Sequence, residues 1–170
     1  GILKTKPQKI FSEAYMVRNI LGVVLGYITM FAFVFITFTI LYFILGAEGS
    51  FEPGTYDVSL IWIGISCMLG LAAAVLGGYI CVLIAKNHKA ALVLAGLVLV
   101  LGIAMAIPAL GDATNEVQEM RSADVPNLEA MQKAKQPPIV LLLNPIIGAF
   151  GVFAALGQSF GGVHGQTAFW

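Results

Sequence analysis

Two histidines, His88 and His164, are the side chains of this chain best suited to metal chemistry. A histidine can serve as an axial ligand to haem iron or to the magnesium of a chlorophyll, which would make the chain a pigment- or haem-contacting subunit. His88 lies beside lysines in a short turn, and His164 lies in a glycine-rich tail. The alternative is therefore that both are solvated surface histidines.

No metal-binding or phosphate-binding motif accompanies the histidines. The sequence holds no C-x-x-C, H-x-x-x-H, H-E-x-x-H or phosphate-binding loop, and its two histidines do not predict a zinc or di-iron site. Gly77 and Gly78 resemble a cofactor-binding glycine pair, but no strand precedes them, so we interpret them as packing residues. We expect no catalytic residue and no resident metal, and we expect bound lipid.

The composition shows where such a chain must lie. Of its 170 residues, 59% are hydrophobic and only 11% are charged, whereas a soluble domain is about one quarter charged. Its surface cannot be covered with water-compatible groups, so many apolar side chains must face lipid. The formal net charge is zero, and this gives no electrostatic reason to expect a nucleic-acid partner.

Four uncharged segments are long enough to cross a bilayer, whose core needs roughly 20 helical residues. They cover residues 19–46, 58–85, 90–111 and 138–157. We therefore predict an all-α fold, an integral membrane four-helix bundle that forms a single transmembrane domain over residues 1–170. In the outer loop, residues 112–137, we expect two short surface helices and a binding surface for a soluble partner. Residues 47–57 are predicted to form a Gly/Pro turn.

The basic residues predict the orientation. Six of the nine lie on one side of the predicted bundle: Lys4, Lys6, Lys9, Arg18, Lys86 and Lys89. Under the positive-inside rule that side is cytoplasmic. The arm 1–18 and the tail 158–170 are then both cytoplasmic, and we expect the chain in the inner membrane of a bacterium.

The four segments themselves contain no Asp, Glu, Lys, Arg or His. Ion-coupled transporters, voltage sensors and proton relays keep such groups at membrane depth, where they are otherwise costly. Their absence disfavours ion-coupled transport by a single copy and leaves open the transport of neutral solutes.

Small residues recur at the four-residue spacing that lets membrane helices approach closely. We predict that these small residues pack the helices of the bundle against one another, with a homodimer face as the alternative. They are Gly22, Gly26, Ser66, Gly70, Ala74, Gly78, Gly151 and Ala155. Two cysteines, Cys67 and Cys81, are about 21 Å apart on one helix, too far for a disulfide.

Two further features could contact a ligand or partner. Aromatic residues form a ridge on the first segment, which could face lipid, a partner subunit, or a pigment or quinone ring; they are Tyr27, Phe31, Phe35, Phe38 and Tyr42. In the fourth segment, Asn144 stands beside Pro145, which removes a backbone hydrogen bond. We expect either a small-ligand or water site there or a hydrogen bond between helices.

Three features together resemble small uncharacterised bacterial proteins with four spans: a Met-Val-Arg sequence at residues 16–18, Gly22 and Gly26 in the first segment, and the sequence AAVLGGYIC before a lysine-containing turn. The resemblance covers roughly the first hundred residues and implies no activity.

These observations leave three hypotheses. The first is a non-catalytic accessory or structural subunit of a larger membrane complex, with an energy-transducing complex as one candidate and other membrane subunits as partners. The second is a homo-oligomeric pore or carrier for a neutral or lipidic solute, formed around Asn144 and Pro145. The third, a lipid-modifying membrane enzyme, lacks a recognisable nucleophile–base pair.

Overall fold

The computed structural model describes residues 6–114, 120–122 and 125–161, which form five helices. They are α1 (Lys6–Ser50), α2 (Leu60–Ala85), α3 (His88–Thr114), α4 (Asn127–Lys133) and α5 (Pro138–Gly161). All but α4 are long and apolar enough to cross a membrane, which confirms the all-α class and the four predicted apolar helices. Within the described ranges, strand-like pairing is limited to two isolated bridges, Phe51 with Val58 and Asp57 with Lys135.

Helix α1 is much longer than the apolar segment that predicted it. Its 45 residues would extend about 68 Å as a straight helix. It includes most of the expected cytoplasmic arm, and Pro7 is compatible with this extension since it lies in the first turn, where a proline costs no hydrogen bond. Gly46 interrupts it with φ 65°, a backbone angle that favours glycine. A last helical stretch then reaches Ser50, so the predicted turn at 47–57 begins as helix.

Helices α2 and α3 form a tight hairpin, whose end at Lys86 and Asn87 we call the hairpin end. Lys86 closes α2 in a left-handed conformation, with φ 50°. The Asn87 side chain caps α3 by accepting a hydrogen bond from the Lys89 backbone N–H at 3.1 Å. From α1, the Arg18 Nε donates to the last carbonyl of α2, that of Ala85, at 3.2 Å.

The opposite end, which we call the cap end, consists of residues 47–59, 120–122 and 125–137. Here the described residues contain one short helix, α4, where the sequence predicted two; much of the first predicted helix lies outside the described residues. Ser59 begins α2 by accepting a hydrogen bond from the Trp62 N–H at 3.2 Å while its hydroxyl donates to the Gly49 carbonyl at 2.7 Å.

Helix α2 lies at the centre of the bundle. It packs most extensively against α1 and α5, and α5 in turn packs against α3, whereas α1 and α3 contact each other only slightly. One buried cluster, at the cap end, contains Leu41, Tyr42, Phe51, Tyr56, Val58, Trp62, Val125 and Ala130. A second, towards the hairpin end, contains Ala74, Cys81, Ala85, Ala90, Ala91, Leu94, Ala95 and Val152.

Candidate functional site

Gly22 and Gly26 of α1 lie directly against α2 of the same chain. A Cβ atom added to Gly22 would stand 2.8 Å from the Cys81 carbonyl oxygen, and one added to Gly26 would stand 2.7 Å from the Gly77 carbonyl oxygen. Real Cβ atoms do not approach backbone oxygens so closely, so this contact requires glycine. We call the contact between these residues and Ala85 the α1–α2 seam. The two predicted packing glycines of α1, Gly22 and Gly26, therefore make their close contacts with a helix of the same chain.

The contact between α2 and α5 is built in the same way. A Cβ atom at Gly151 would stand 2.6 Å from the Ala74 Cβ, and one at Gly78 would stand 3.0 Å from the Ala155 Cβ. Together these four predicted packing residues form the α2–α5 seam. It continues to Cys67, whose Sγ lies 3.7 Å from Asn144 Oδ1.

Two other members of the predicted small-residue stripe lie outside this seam. The α5-facing line of α2 passes through Cys67, Leu71 and Ala74 at steps of three and four residues, so Gly70 falls beside it and has open space around it. Ser66 is buried, but its hydroxyl donates to the Ile63 carbonyl of its own helix at 3.0 Å.

Asn144 and Pro145 border a side cavity between α3 and α5. The cavity has a volume of about 440 Å³ and is lined by Val98, Gly102, Met105, Ala106, Gln136, Leu141, Asn144 and Pro145. The exposed Asn144 amide donates to Gln136 Oε1 at 3.1 Å. Pro145 is buried against Gly102, where a Cβ atom would stand 2.6 Å from the proline ring. The predicted polar site therefore borders a cavity, and the side-chain amides of Gln136 and Asn144 line part of it.

The aromatic ridge divides into two parts. Tyr27, Phe31 and Phe35 are exposed, and the rings of Phe31 and Phe35 stack with centroids 6.3 Å apart. Phe38 instead packs edge-on against Trp62 at 5.7 Å, and buried Tyr42 donates from its hydroxyl to the Val125 carbonyl at 2.6 Å. Only the first three residues, which we call the exposed ridge, are therefore available to lipid or a partner.

Arg121 is the central polar residue of the cap end, and the sequence did not single it out. Its side chain is 1% exposed. The guanidinium donates to the Thr55 carbonyl at 3.0 Å, the Ser122 carbonyl at 3.2 Å and Glu48 Oε1 at 3.0 Å, and it lies 5.6 Å from the Phe51 ring centroid. A buried cation with this many acceptors stabilises the surrounding loops.

Residue pairs from distant parts of the sequence close the rest of the cap. The Tyr56 hydroxyl donates to Glu129 Oε1 of α4 at 3.1 Å, and Lys133 Nζ lies 3.3 Å from the same oxygen. The backbone of Lys135 donates to the Tyr56 carbonyl at 2.9 Å and accepts from the Val58 N–H at 3.0 Å. The described part of the predicted outer loop is thus an ordered cap over α1 and α2.

The ligand roles of the two histidines stay predictions. His88 is exposed at the first residue of α3, and His164 lies outside the described residues. Among the residues described, no group of three metal-ligating side chains occurs. One G-x-S-x-G motif occurs at residues 157–161, but its backbone is the helical end of α5, whereas a nucleophile elbow lies between a strand and a helix.

A groove between α1 and α3 opens at the hairpin end, and no sequence pattern predicted it. We call it the hairpin groove. Its volume is about 370 Å³, and it is lined by Tyr15, Asn19, Ile20, Val23, Val24, Asn87, Lys89, Ala90 and Val93. Asn87 Nδ2 donates to Asn19 Oδ1 at 3.4 Å across it. These residues could not have been grouped from the sequence, because they lie about 70 residues apart.

The fold and these contacts define an all-helical chain with four helices of membrane-spanning length and composition, closed by a polar cap at one end. Comparisons with protein families, with curated proteins and with solved structures gave no match.

Proposed function

We propose that the chain is an integral membrane protein with four spans and acts as a non-catalytic accessory subunit of a larger membrane complex. The composition supports insertion, because each of the four long helices contains most or all of an apolar segment without Asp, Glu, Lys, Arg or His that is long enough to cross a bilayer core; these segments are residues 19–46, 58–85, 90–111 and 138–157. Close helix contacts at glycines support a structural role. The α1–α2 and α2–α5 seams bring the helix backbones together along the bundle.

The distribution of charge supports a cytoplasmic hairpin end. Arg18, Lys86 and Lys89 lie at that end. At the cap end, Arg121 and Lys133 are paired with Glu48 and Glu129. The proposed orientation, with both termini in the cytoplasm of a bacterium, can be tested with alkaline phosphatase fusions. Fusions within the cap end should be active, and fusions at Lys86 inactive.

The observation that carries the subunit proposal is the exposure of α1. Only 11% of its most apolar stretch is buried within the chain, against 28% in each of the other three long helices. The exposed ridge on this helix has Phe31 about midway between Arg18 and Gly46. Aromatic belts lie at the membrane surfaces, whereas a stacked pair at mid-depth offers a rigid apolar surface to a helix of another subunit.

Site-specific photo-crosslinking tests this contact. A photoreactive phenylalanine analogue replaces Phe31, which is 66% exposed, and a matched control replaces Phe150 of α5, which is 67% exposed. We expect Phe31 to crosslink to one membrane protein that copurifies stoichiometrically in mild detergent. Recovery of a clean monomer or homodimer, or equal crosslinking from both positions, would contradict the subunit proposal.

The side cavity favours a second candidate function, passage or binding of a small neutral or lipidic solute. Its apolar walls end at the amides of Asn144 and Gln136, an arrangement that suits a mostly apolar ligand with one polar group. Liposomes that contain the chain should then pass such a solute, and Asn144→Leu should abolish the flux. Flux equal to that of empty liposomes would exclude this function.

A further inference from the structure

We propose that the hairpin groove binds one acyl chain of an anionic phospholipid, with the lipid phosphate beside the Lys89 ammonium. This inference rests on the membrane insertion proposed above and adds a specific lipid site to it. It follows from three properties of the groove: the direction in which its lining changes polarity, its charge, and the side on which it opens.

Both walls of the groove change from polar to apolar in the same direction. On α1, Tyr15 and Asn19 come first and Val23 and Val24 follow. On the α3 side, Asn87 and Lys89 come first, and the apolar residues Ala90 and Val93 follow. Since α1 runs away from the hairpin end and α3 starts there, the polar residues of both walls lie together at that end. A phospholipid has the same gradient from headgroup to tail.

The charge at the polar end is positive. Lys89 lines the groove, and Arg18 and Lys86 lie at the same end of the bundle. The acidic residue of this part of α1, Glu13, is not among the residues that line the groove. Basic pockets between membrane helices on the cytoplasmic side are recognised sites for anionic headgroups. Asn19 and Asn87 supply amide groups to the glycerol and ester oxygens.

The groove opens sideways, towards the bilayer. Ile20, Val24 and Val93 line it and are 56%, 45% and 61% exposed. Its volume of about 370 Å³ lies within the range of small-ligand sites, about 300–1,000 Å³. A chain that enters between α1 and α3 can therefore come directly from the surrounding lipid, which makes a membrane lipid a better fit than a water-soluble ligand.

Native mass spectrometry of the full chain in mild detergent, with equal phosphatidylglycerol and phosphatidylcholine added, tests the headgroup contact. We expect one phosphatidylglycerol to be retained in preference to phosphatidylcholine. Lys89→Gln should weaken that preference about fivefold, the effect of one basic residue near an anionic surface. Lys135→Gln, which removes the same charge at the cap end, should leave it unchanged. Glycerol 3-phosphate, which has the headgroup chemistry without a tail, should not compete.

A second pair of variants tests the acyl chain. Val93→Trp places a large ring in the groove and should abolish lipid retention. Val100→Trp, two turns further along α3 at a site that is 65% exposed, should preserve it. Equal retention of the two lipids by the unaltered chain, or equal losses in Lys89→Gln and Lys135→Gln, would overturn the lipid site.

A carbonate wash of membranes tests insertion of the chain separately from lipid binding. If it strips the chain from membranes, the proposed function fails together with the lipid site, whereas an inserted chain without lipid preference contradicts the lipid site alone.

Discussion

Alanine at Gly26 should destabilise the bundle, although alanine is the better helix former. In an exposed helix interior, exchange of glycine for alanine stabilises by about 0.5–1 kcal/mol. At Gly26, however, the new Cβ would stand 2.7 Å from the Gly77 carbonyl oxygen and 3.0 Å from the Cys81 Cβ. The oxygen belongs to the α2 backbone, so it cannot move without shifting that helix. Overpacking of this kind costs about 1–3 kcal/mol.

Gly96 supplies the matched control, since it lies inside α3 with no atom within 4 Å of an added Cβ. The gain in helix propensity is common to Gly26→Ala and Gly96→Ala, so it cancels in the comparison. The difference between the two variants is then the overpacking cost alone, about 1–3 kcal/mol. For a chain of this size, each kcal/mol corresponds to about 2–4 °C in Tm.

The assay follows the labelling of Cys81 by a thiol-reactive dye during heating in mild detergent. Cys81 is fully buried beside the α1–α2 seam, so it reacts when the seam opens. A Cys67→Ala background removes the second, half-buried thiol. Gly26→Ala should lower Tm and Gly96→Ala should raise it slightly. If both raise Tm equally, α1 and α2 do not approach as closely as the geometry requires.

Two further predictions concern the cap end and use the same labelling assay. Arg121→Met should cost about 2–4 kcal/mol, because it removes a buried charged donor that bonds to the Thr55 and Ser122 carbonyls and to Glu48; Lys133→Met, which removes an ion pair exposed on both sides, should cost less than about 1 kcal/mol. Ser59→Ala should cost about 1 kcal/mol through loss of the α2 N-cap. Equal losses of stability in Arg121→Met and Lys133→Met would show that burial of the Arg121 guanidinium does not contribute to the free energy of unfolding.

The apolar helices could be predicted from the sequence because a helix able to cross a membrane must be long and almost free of charge, and four segments meet both requirements. Uncharged segments of 20 or more residues located all four long helices. Their ends were less predictable. The sequence could not show that α1 would continue from Lys6 to Ser50, since polar residues outside the apolar segment are compatible with either helix or loop.

Which small residues meet which helix was predicted only in part. Four-residue spacing identified Gly78 and Gly22, but it also included Gly70, which has open space around it. It omitted Gly102, which packs on Pro145. Spacing defines a face of one helix, whereas a contact also depends on where the neighbouring helix crosses that face. Burial of Arg121 was unpredictable for a similar reason, because two of its acceptors, the Thr55 carbonyl and Glu48, lie more than 60 residues away in the sequence.

The location of the hairpin groove follows from which helices pack closely against one another. Glycine seams hold α2 against α1 and against α5, and Gly102 brings α3 against α5. At the cap end, hydrogen bonds to backbone carbonyls connect α1 and the loops. Between α1 and α3, by contrast, the contact is slight. The groove opens between them, so a bulky side chain introduced by Val93→Trp meets open space, whereas alanine at Gly26 meets the backbone of another helix.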